Sequence, residues 1–98
     1  MARYLALWEA DNSRIPIDPK ERGSGWGVLM DKVKQDIKKG VMKDFGGFVG
    51  MPNGFCILEG TELEIDSSIQ QYMPFFTYRV YPLTSVEQVD KMIKALSK

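Results

Sequence analysis

The hydrophobic and polar positions of this chain change period several times, from the two-residue period of strands to the 3.6-residue period of helices. Residues 3–9 are apolar on both faces of an extended segment, so we expect a strand that is covered on both sides. Residues 43–50 and 54–59 predict a hairpin, because Pro52-Asn53-Gly54 supplies turn residues between them. Residues 75–81 alternate and are rich in aromatic side chains, which predicts a fourth strand.

Three segments predict helices between and after these strands. Residues 18–40 open with an Asp-Pro pair, continue with an apolar stripe and end in Lys-Lys-Gly. The second and third helices open with the capping boxes Thr61-Glu-Leu-Glu64 and Ser85-Val-Glu-Gln88. We expect Pro74 to end the second helix after Met73. The third helix carries apolar residues at positions 86, 89, 92, 93 and 96.

Three glycines fall in the first half of the predicted first helix, at positions 23, 25 and 27. Each costs about 1 kcal/mol relative to Ala in a helix interior. We therefore expect the helix to break, or to start late, near Ser24.

The order of these elements is β-α-β-β-α-β followed by a helix, which predicts one ferredoxin-like α+β domain over residues 1–98 with an antiparallel four-stranded sheet. Crossover helices would cover one face of this sheet. Large side chains nevertheless occur on both faces of the predicted strands: Trp8, Phe45, Phe48, Phe55, Ile57, Phe76, Tyr78 and Tyr81. Because monomers rarely expose a large contiguous apolar area, we expect the chain to pair with itself as a homodimer or a higher homo-oligomer.

Three segments carry a resemblance to a known family: Tyr4-Leu-Ala-Leu-Trp-Glu9, Gly54-Phe-Cys-Ile-Leu-Glu-Gly60 and Phe76-Thr-Tyr-Arg-Val-Tyr-Pro-Leu-Thr84. Nearly the whole chain resembles small uncharacterised proteins of the dimeric α+β barrel superfamily. The resemblance implies that two ferredoxin-like subunits close their sheets into one barrel. The superfamily includes monooxygenases, muconolactone isomerases and haem-processing proteins. Members with catalytic or haem-ligating histidines have no counterpart here, because this chain contains no histidine.

Composition narrows the function classes. The 98 residues include 13 basic and 13 acidic side chains, and this zero net charge argues against a nucleic-acid partner. With one cysteine and no histidine, we do not expect a transition-metal site within one chain, and a Ser-His or Cys-His nucleophile is excluded. The lone Cys56 favours a reducing cytoplasm. We find no signal peptide. The apolar runs are much shorter than the roughly 20 residues that a membrane-spanning helix needs. We expect a cytoplasmic protein without cofactor, metal or membrane partner.

Residues 43–51 nearly match an RNA-recognition signature, Lys/Arg-Gly-Phe/Tyr-Gly/Ala-Phe-Val-x-Phe/Tyr. That signature needs two aromatic residues on one face of the sheet. Phe45 and Phe48 are three residues apart and should face opposite ways, unless a bulge at Gly46-Gly47 restores the phase. We therefore do not expect RNA binding.

Polar side chains on strands are the candidate site residues. If Arg79 and Tyr81 face the open side of the sheet with Glu9 or Asp44 nearby, they would line the barrel cavity and bind a small polar ligand. Trp8 is a further candidate ligand contact. The simpler interpretation, which we favour, makes the charged residues edge charges or inter-subunit ion pairs and Trp8 a core or interface anchor. No catalytic residue is assigned.

Three functions stay open at this stage. The first is a homo-oligomeric ferredoxin-like module of unknown role that binds a small polar ligand in the barrel cavity. The second is a cofactor-independent isomerase or monooxygenase that uses Arg79, Tyr81 and a strand carboxylate as acid or base. The third is a purely structural or regulatory assembly module. Whether the protein is an enzyme is not decided by its sequence.

Overall fold

The computed structural model describes residues 2–97 of the chain. Capping side chains, turn residues and apolar periodicity divide this part of the chain into four strands, three α-helices and one 3₁₀ turn. In chain order these are β1 (Arg3–Ala10), the 3₁₀ turn (Asn12–Arg14), α1 (Pro19–Lys39), β2 (Met42–Gly47), β3 (Asn53–Glu59), α2 (Glu62–Gln70), β4 (Phe76–Leu83) and α3 (Val86–Leu96).

The four strands form one antiparallel sheet in the order β2-β3-β1-β4. Ala6 at the middle of β1 lies opposite Cys56 of β3 and Val80 of β4. The protein is therefore α+β, with a four-stranded antiparallel sheet and three α-helices in residues 2–97, an arrangement compatible with the predicted ferredoxin-like fold.

The core lies between one face of the sheet and the helices α1 and α2. Every second residue along the strands points into this core. Val33, Ile65 and Ile69 point into it from the helices. Leu58, Val33 and Cys56 are the largest side chains that are fully buried. The other face of the sheet, called the open face below, is not covered by any element of residues 2–97. Its apolar centre consists of the half-buried side chains of Leu5, Leu7, Phe55 and Ile57.

The predicted break near Ser24 is wrong, because α1 is continuous from Pro19 to Lys39. The Asp18 carboxylate accepts a hydrogen bond from the Glu21 amide at 3.3 Å and caps the helix start. Gly40 ends the helix with a left-handed φ of 89°. Good caps and the packing of the apolar stripe outweigh the propensity cost of the three glycines, since tertiary contacts routinely override propensity.

The hairpin of β2 and β3 is irregular near its start and not at its glycine pair. The register shifts between Met42 and Asp44, whereas Gly46 and Gly47 pair regularly with β3. Phe45 lies on the core side and stacks on Trp8, with ring centroids 5.4 Å apart. Phe48 lies beyond the end of β2 and stacks on Phe55 of the open face. The two aromatic residues thus face opposite ways, as predicted.

Both predicted capping boxes are present, at Thr61 for α2 and at Ser85 for α3. Helix α2 ends at Gln70, three residues before the predicted end at Met73, and a run of turns connects it to β4. None of the residues of α3 is buried, and the described chain is 61 Å long in its longest direction. No helix within residues 2–97 is long and apolar enough to cross a membrane.

Candidate functional site

The structure places four of the five predicted ligand contacts on the open face. On β4, Arg79 lies opposite Leu7 and Tyr81 opposite Leu5 of β1. Glu9 lies opposite Thr77, which makes it a diagonal neighbour of Arg79, with a usual separation of about 7–8 Å. Arg79 therefore lies between Glu9 and Tyr81 at the β4 edge of the sheet, and Glu9 and Tyr81 are about 14 Å apart.

Asp44 is distant from this group. It lies on β2 opposite Ile57, in the same row of the sheet as Leu5 and Tyr81. Three strand spacings separate it from Tyr81, or about 14 Å. Asp44 and Glu9 consequently do not form a close pair of carboxylates.

Trp8 lies on the opposite side of the sheet from the other four residues. It is buried, and its Nε1 donates a hydrogen bond to the carbonyl oxygen of Phe55 at 3.2 Å. Its ring also contacts Phe76 edge to face at 5.6 Å and Trp26 at 6.2 Å between centroids. Trp8 therefore anchors the core in this structure and does not line the same surface as Arg79.

The open face has an apolar centre and charged residues around it. An ion pair joins Arg3 Nε to Glu59 Oε2 at 3.7 Å on this face, whereas Arg79 and Glu9 are exposed and form no ion pair with each other in residues 2–97. The second half of β4 adds apolar surface beside it, since Tyr81 and Leu83 are also exposed. This surface is open to a partner or a ligand.

A second polar group, which the sequence reasoning missed, lies buried between the helices and the sheet. Asp36 of α1 is only 4% exposed and accepts hydrogen bonds from the Tyr72 hydroxyl at 2.5 Å and the Ser68 hydroxyl at 3.4 Å. Asp36 follows Val33 by three residues on the apolar stripe of α1. A charged residue on an apolar helix stripe is the signal in the sequence that could have identified it.

Burial keeps the hydroxyl and thiol groups near Asp36 protonated. It raises the pKa of Tyr72, which the hydrogen bond to Asp36 raises further, and it also raises the pKa of Tyr78. Burial, followed by the charge of Asp36, raises the pKa of the Cys56 thiol to about 12. A thiol that stays protonated is a poor nucleophile. The cluster therefore joins α1 to α2 and to the segment after it, and does not supply a reactive cysteine.

Among residues 2–97, no group of three or more His, Cys, Asp or Glu side chains is placed to hold a metal ion. Comparison of the chain with protein-family models and with curated proteins gives no match.

Proposed function

We propose that the protein acts as a homodimeric ferredoxin-like module in which the open faces of two sheets pack against each other, as in a dimeric α+β barrel. The observation that carries this proposal is the uncovered apolar centre of the open face. An apolar centre with a charged rim is the usual anatomy of a protein interface. The apolar residues are Leu5, Leu7, Phe55 and Ile57, and the charged residues around them include Arg3, Glu9, Asp44, Glu59 and Arg79.

The total exposed area supports the same proposal. The chain exposes 7195 Å² of accessible surface at a mass of 11.2 kDa. A folded monomer of this mass is expected to expose about 5,700 Å². The excess of about 1,500 Å² exceeds the roughly 800 Å² that each partner buries in a stable dimer of standard size. A zero net charge also gives little repulsion between two copies.

Helix α3 is the second feature that needs a partner. It has eleven residues, and its apolar side is exposed: Val86 is 81% and Leu96 is 77% accessible. Isolated helices of this length are marginal in water, so the helix depends on packing of its apolar side. Only Thr84 and Ser85 connect it to β4. We propose that α3 packs on the second copy and extends the contact between the two sheets.

The group of Arg79, Tyr81 and Glu9 gives this dimer a candidate ligand site at the edge of the interface. The Arg79 guanidinium, which forms no ion pair within residues 2–97, and the Tyr81 hydroxyl suit a small anionic or polar ligand. The enzyme alternative receives less support, because Glu9 and Asp44 each lie about 14 Å from Tyr81. Succinate is a suitable first probe in a thermal-shift assay. We expect it to raise the unfolding temperature of the native protein and not of Arg79→Gln, while Arg3→Gln responds as the native protein does. Equal responses from all three proteins would contradict the site.

Size-exclusion chromatography with light scattering tests the assembly. At micromolar concentration, the native chain should have twice its 11.2 kDa mass. Leu7→Glu places a charge at the centre of the open face and should give a monomer. Leu63→Glu is the matched control, since Leu63 is an exposed leucine of α2 outside the open face and should leave the dimer intact. A native chain with the mass of one copy would overturn the proposal.

A further inference from the structure

A groove outside the open face lies between the first half of α1, the 3₁₀ turn and the segment that connects α2 to β4. Its volume is about 450 Å³, within the range of about 300–1,000 Å³ that is typical of small-molecule sites. Apolar side chains form most of its wall, chiefly Trp26, Leu29, Tyr72, Phe75 and Phe76. A groove of this size and polarity suits a small molecule with an apolar body.

Cationic side chains dominate the charge of the groove. Arg14, Arg22 and Lys32 line it, against one carboxylate, Asp11. Arg14 is paired with Asp11 at 3.2 Å between Nε and Oδ2, and this carboxylate is therefore already neutralised.

The other two cations have no carboxylate partner among residues 2–97. Arg22 is half-buried and donates hydrogen bonds to the carbonyl oxygens of Pro16 and Ile17, at 3.4 Å and 3.1 Å. Lys32 is also half-buried, and its Nζ lies 5.8 Å from the centre of the Tyr72 ring. Two partly desolvated positive charges beside apolar walls favour a ligand that carries an anionic group on an apolar body.

Gly25 keeps the α1 side of the groove free. It lines the groove in the interior of a helix, and a Cβ at this position would meet no atom within 4 Å. Nothing in residues 2–97 therefore requires the absence of a side chain there, although glycine costs about 1 kcal/mol relative to Ala in a helix. The absence of a side chain at Gly25 leaves this part of the groove open.

We propose that this groove binds a small organic anion whose apolar body lies against Trp26 and Phe76 and whose carboxylate, sulfonate or phosphate group is attracted by the positive charges of Arg22 and Lys32 in the wall. This binding site is separate from the open face and does not depend on the proposed dimer. The ligand class follows from the two unpaired cations and the apolar wall.

The fluorescent dye anilinonaphthalene sulfonate is a suitable probe, because it combines a sulfonate with apolar rings. We expect saturable binding with energy transfer from the tryptophan in the wall. Gly25→Leu fills the groove and should weaken dye binding at least about tenfold, or about 1.4 kcal/mol. Gly23→Leu is the matched control: its Cβ also meets no atom within 4 Å on the same helix, but Gly23 does not line the groove. It should bind the dye as the native protein does.

The charge requirement is tested separately. Lys32→Gln and Arg22→Gln should each weaken binding of the sulfonate dye by about three- to tenfold. Lys34→Gln, an exposed lysine of α1 outside the groove, should have no effect. The neutral analogue phenylnaphthylamine should bind all of these proteins equally.

Two results would overturn the proposal. If Gly25→Leu binds the dye as tightly as Gly23→Leu, the dye occupies another apolar surface, such as α3 or the open face. If the dye and its neutral analogue respond alike to Lys32→Gln and Arg22→Gln, the groove does not select an anion. Neither result would bear on the dimer, whose test is the mass of the native chain.

Discussion

The buried hydrogen bond between Tyr72 and Asp36 gives the sharpest test of the core. Tyr72→Phe removes the hydroxyl that donates to Asp36 at 2.5 Å, and leaves this carboxylate with the Ser68 hydroxyl at 3.4 Å. A hydrogen bond to a charged group contributes about 1.5–3 kcal/mol. We therefore expect the free energy of unfolding to fall by about 2–3 kcal/mol. Asp36→Ala should cost at least as much, because it opens a cavity and leaves the Tyr72 hydroxyl without its acceptor.

The double variant separates the hydrogen bond from these other costs. If the two groups act through one bond, Tyr72→Phe and Asp36→Ala together should cost about 1–3 kcal/mol less than the sum of their separate effects. Urea unfolding followed by tryptophan fluorescence measures this, at one fixed protein concentration because the stability of a dimer depends on concentration. Tyr4→Phe is the control and should change stability by less than about 0.5 kcal/mol. Additive effects, or a Tyr72→Phe protein as stable as this control, would refute the reasoning.

Three further predictions concern the core and the glycines. Because burial raises the pKa of Cys56 to about 12, the native protein keeps a proton that the unfolded chain loses above about pH 8.5. The free energy of unfolding should therefore fall as the pH rises from about 9 to 12. In urea titrations, Cys56→Ala should make this fall less steep by up to about 1.4 kcal/mol per pH unit. The same pH dependence in the native protein and in Cys56→Ala would contradict this. Gly23→Ala should raise the free energy of unfolding by up to about 1 kcal/mol, because the added Cβ lies in open space and alanine favours the helix over glycine. Thermal or urea unfolding measures this, and a loss of stability would contradict it. Gly54→Ala should lower the free energy of unfolding by about 1–3 kcal/mol, because the added Cβ would overlap the Gly46 carbonyl oxygen and the Trp8 ring. A Gly54→Ala protein as stable as the native one would contradict this.

Local chemistry explains why the element order was predictable. The capping boxes at Thr61 and Ser85 are satisfied within four residues of sequence, so the starts of α2 and α3 were visible without any tertiary information. The turn residues at 52–54 and the alternating aromatic residues of β4 likewise predicted the hairpin and the fourth strand from local sequence. From these elements the α+β class and the antiparallel four-stranded sheet followed.

The features that escaped prediction depend on contacts distant in sequence. The continuity of α1 through Gly25 depends in part on contacts distant in sequence, such as those of Trp26 with Trp8 and Phe76. Asp36 is tolerated in the core because Ser68 and Tyr72, 32 and 36 residues away, supply donors. The groove is likewise invisible in any single segment, because Arg22 and Phe75 belong to different parts of the chain and meet only in the fold.

Intermolecular nuclear Overhauser contacts test the central claim most directly, because they show which surfaces of two copies touch. The sample mixes isotope-labelled and unlabelled protein. The face-to-face arrangement predicts contacts from the methyl groups of Leu7 and Ile57 on the open face, and from Ile93 of α3, to the unlabelled partner. Ile17 is an exposed isoleucine outside these surfaces and should show none. A sample in which Leu7 and Ile57 give no intermolecular contacts, while the protein is folded at the same concentration, would contradict the account.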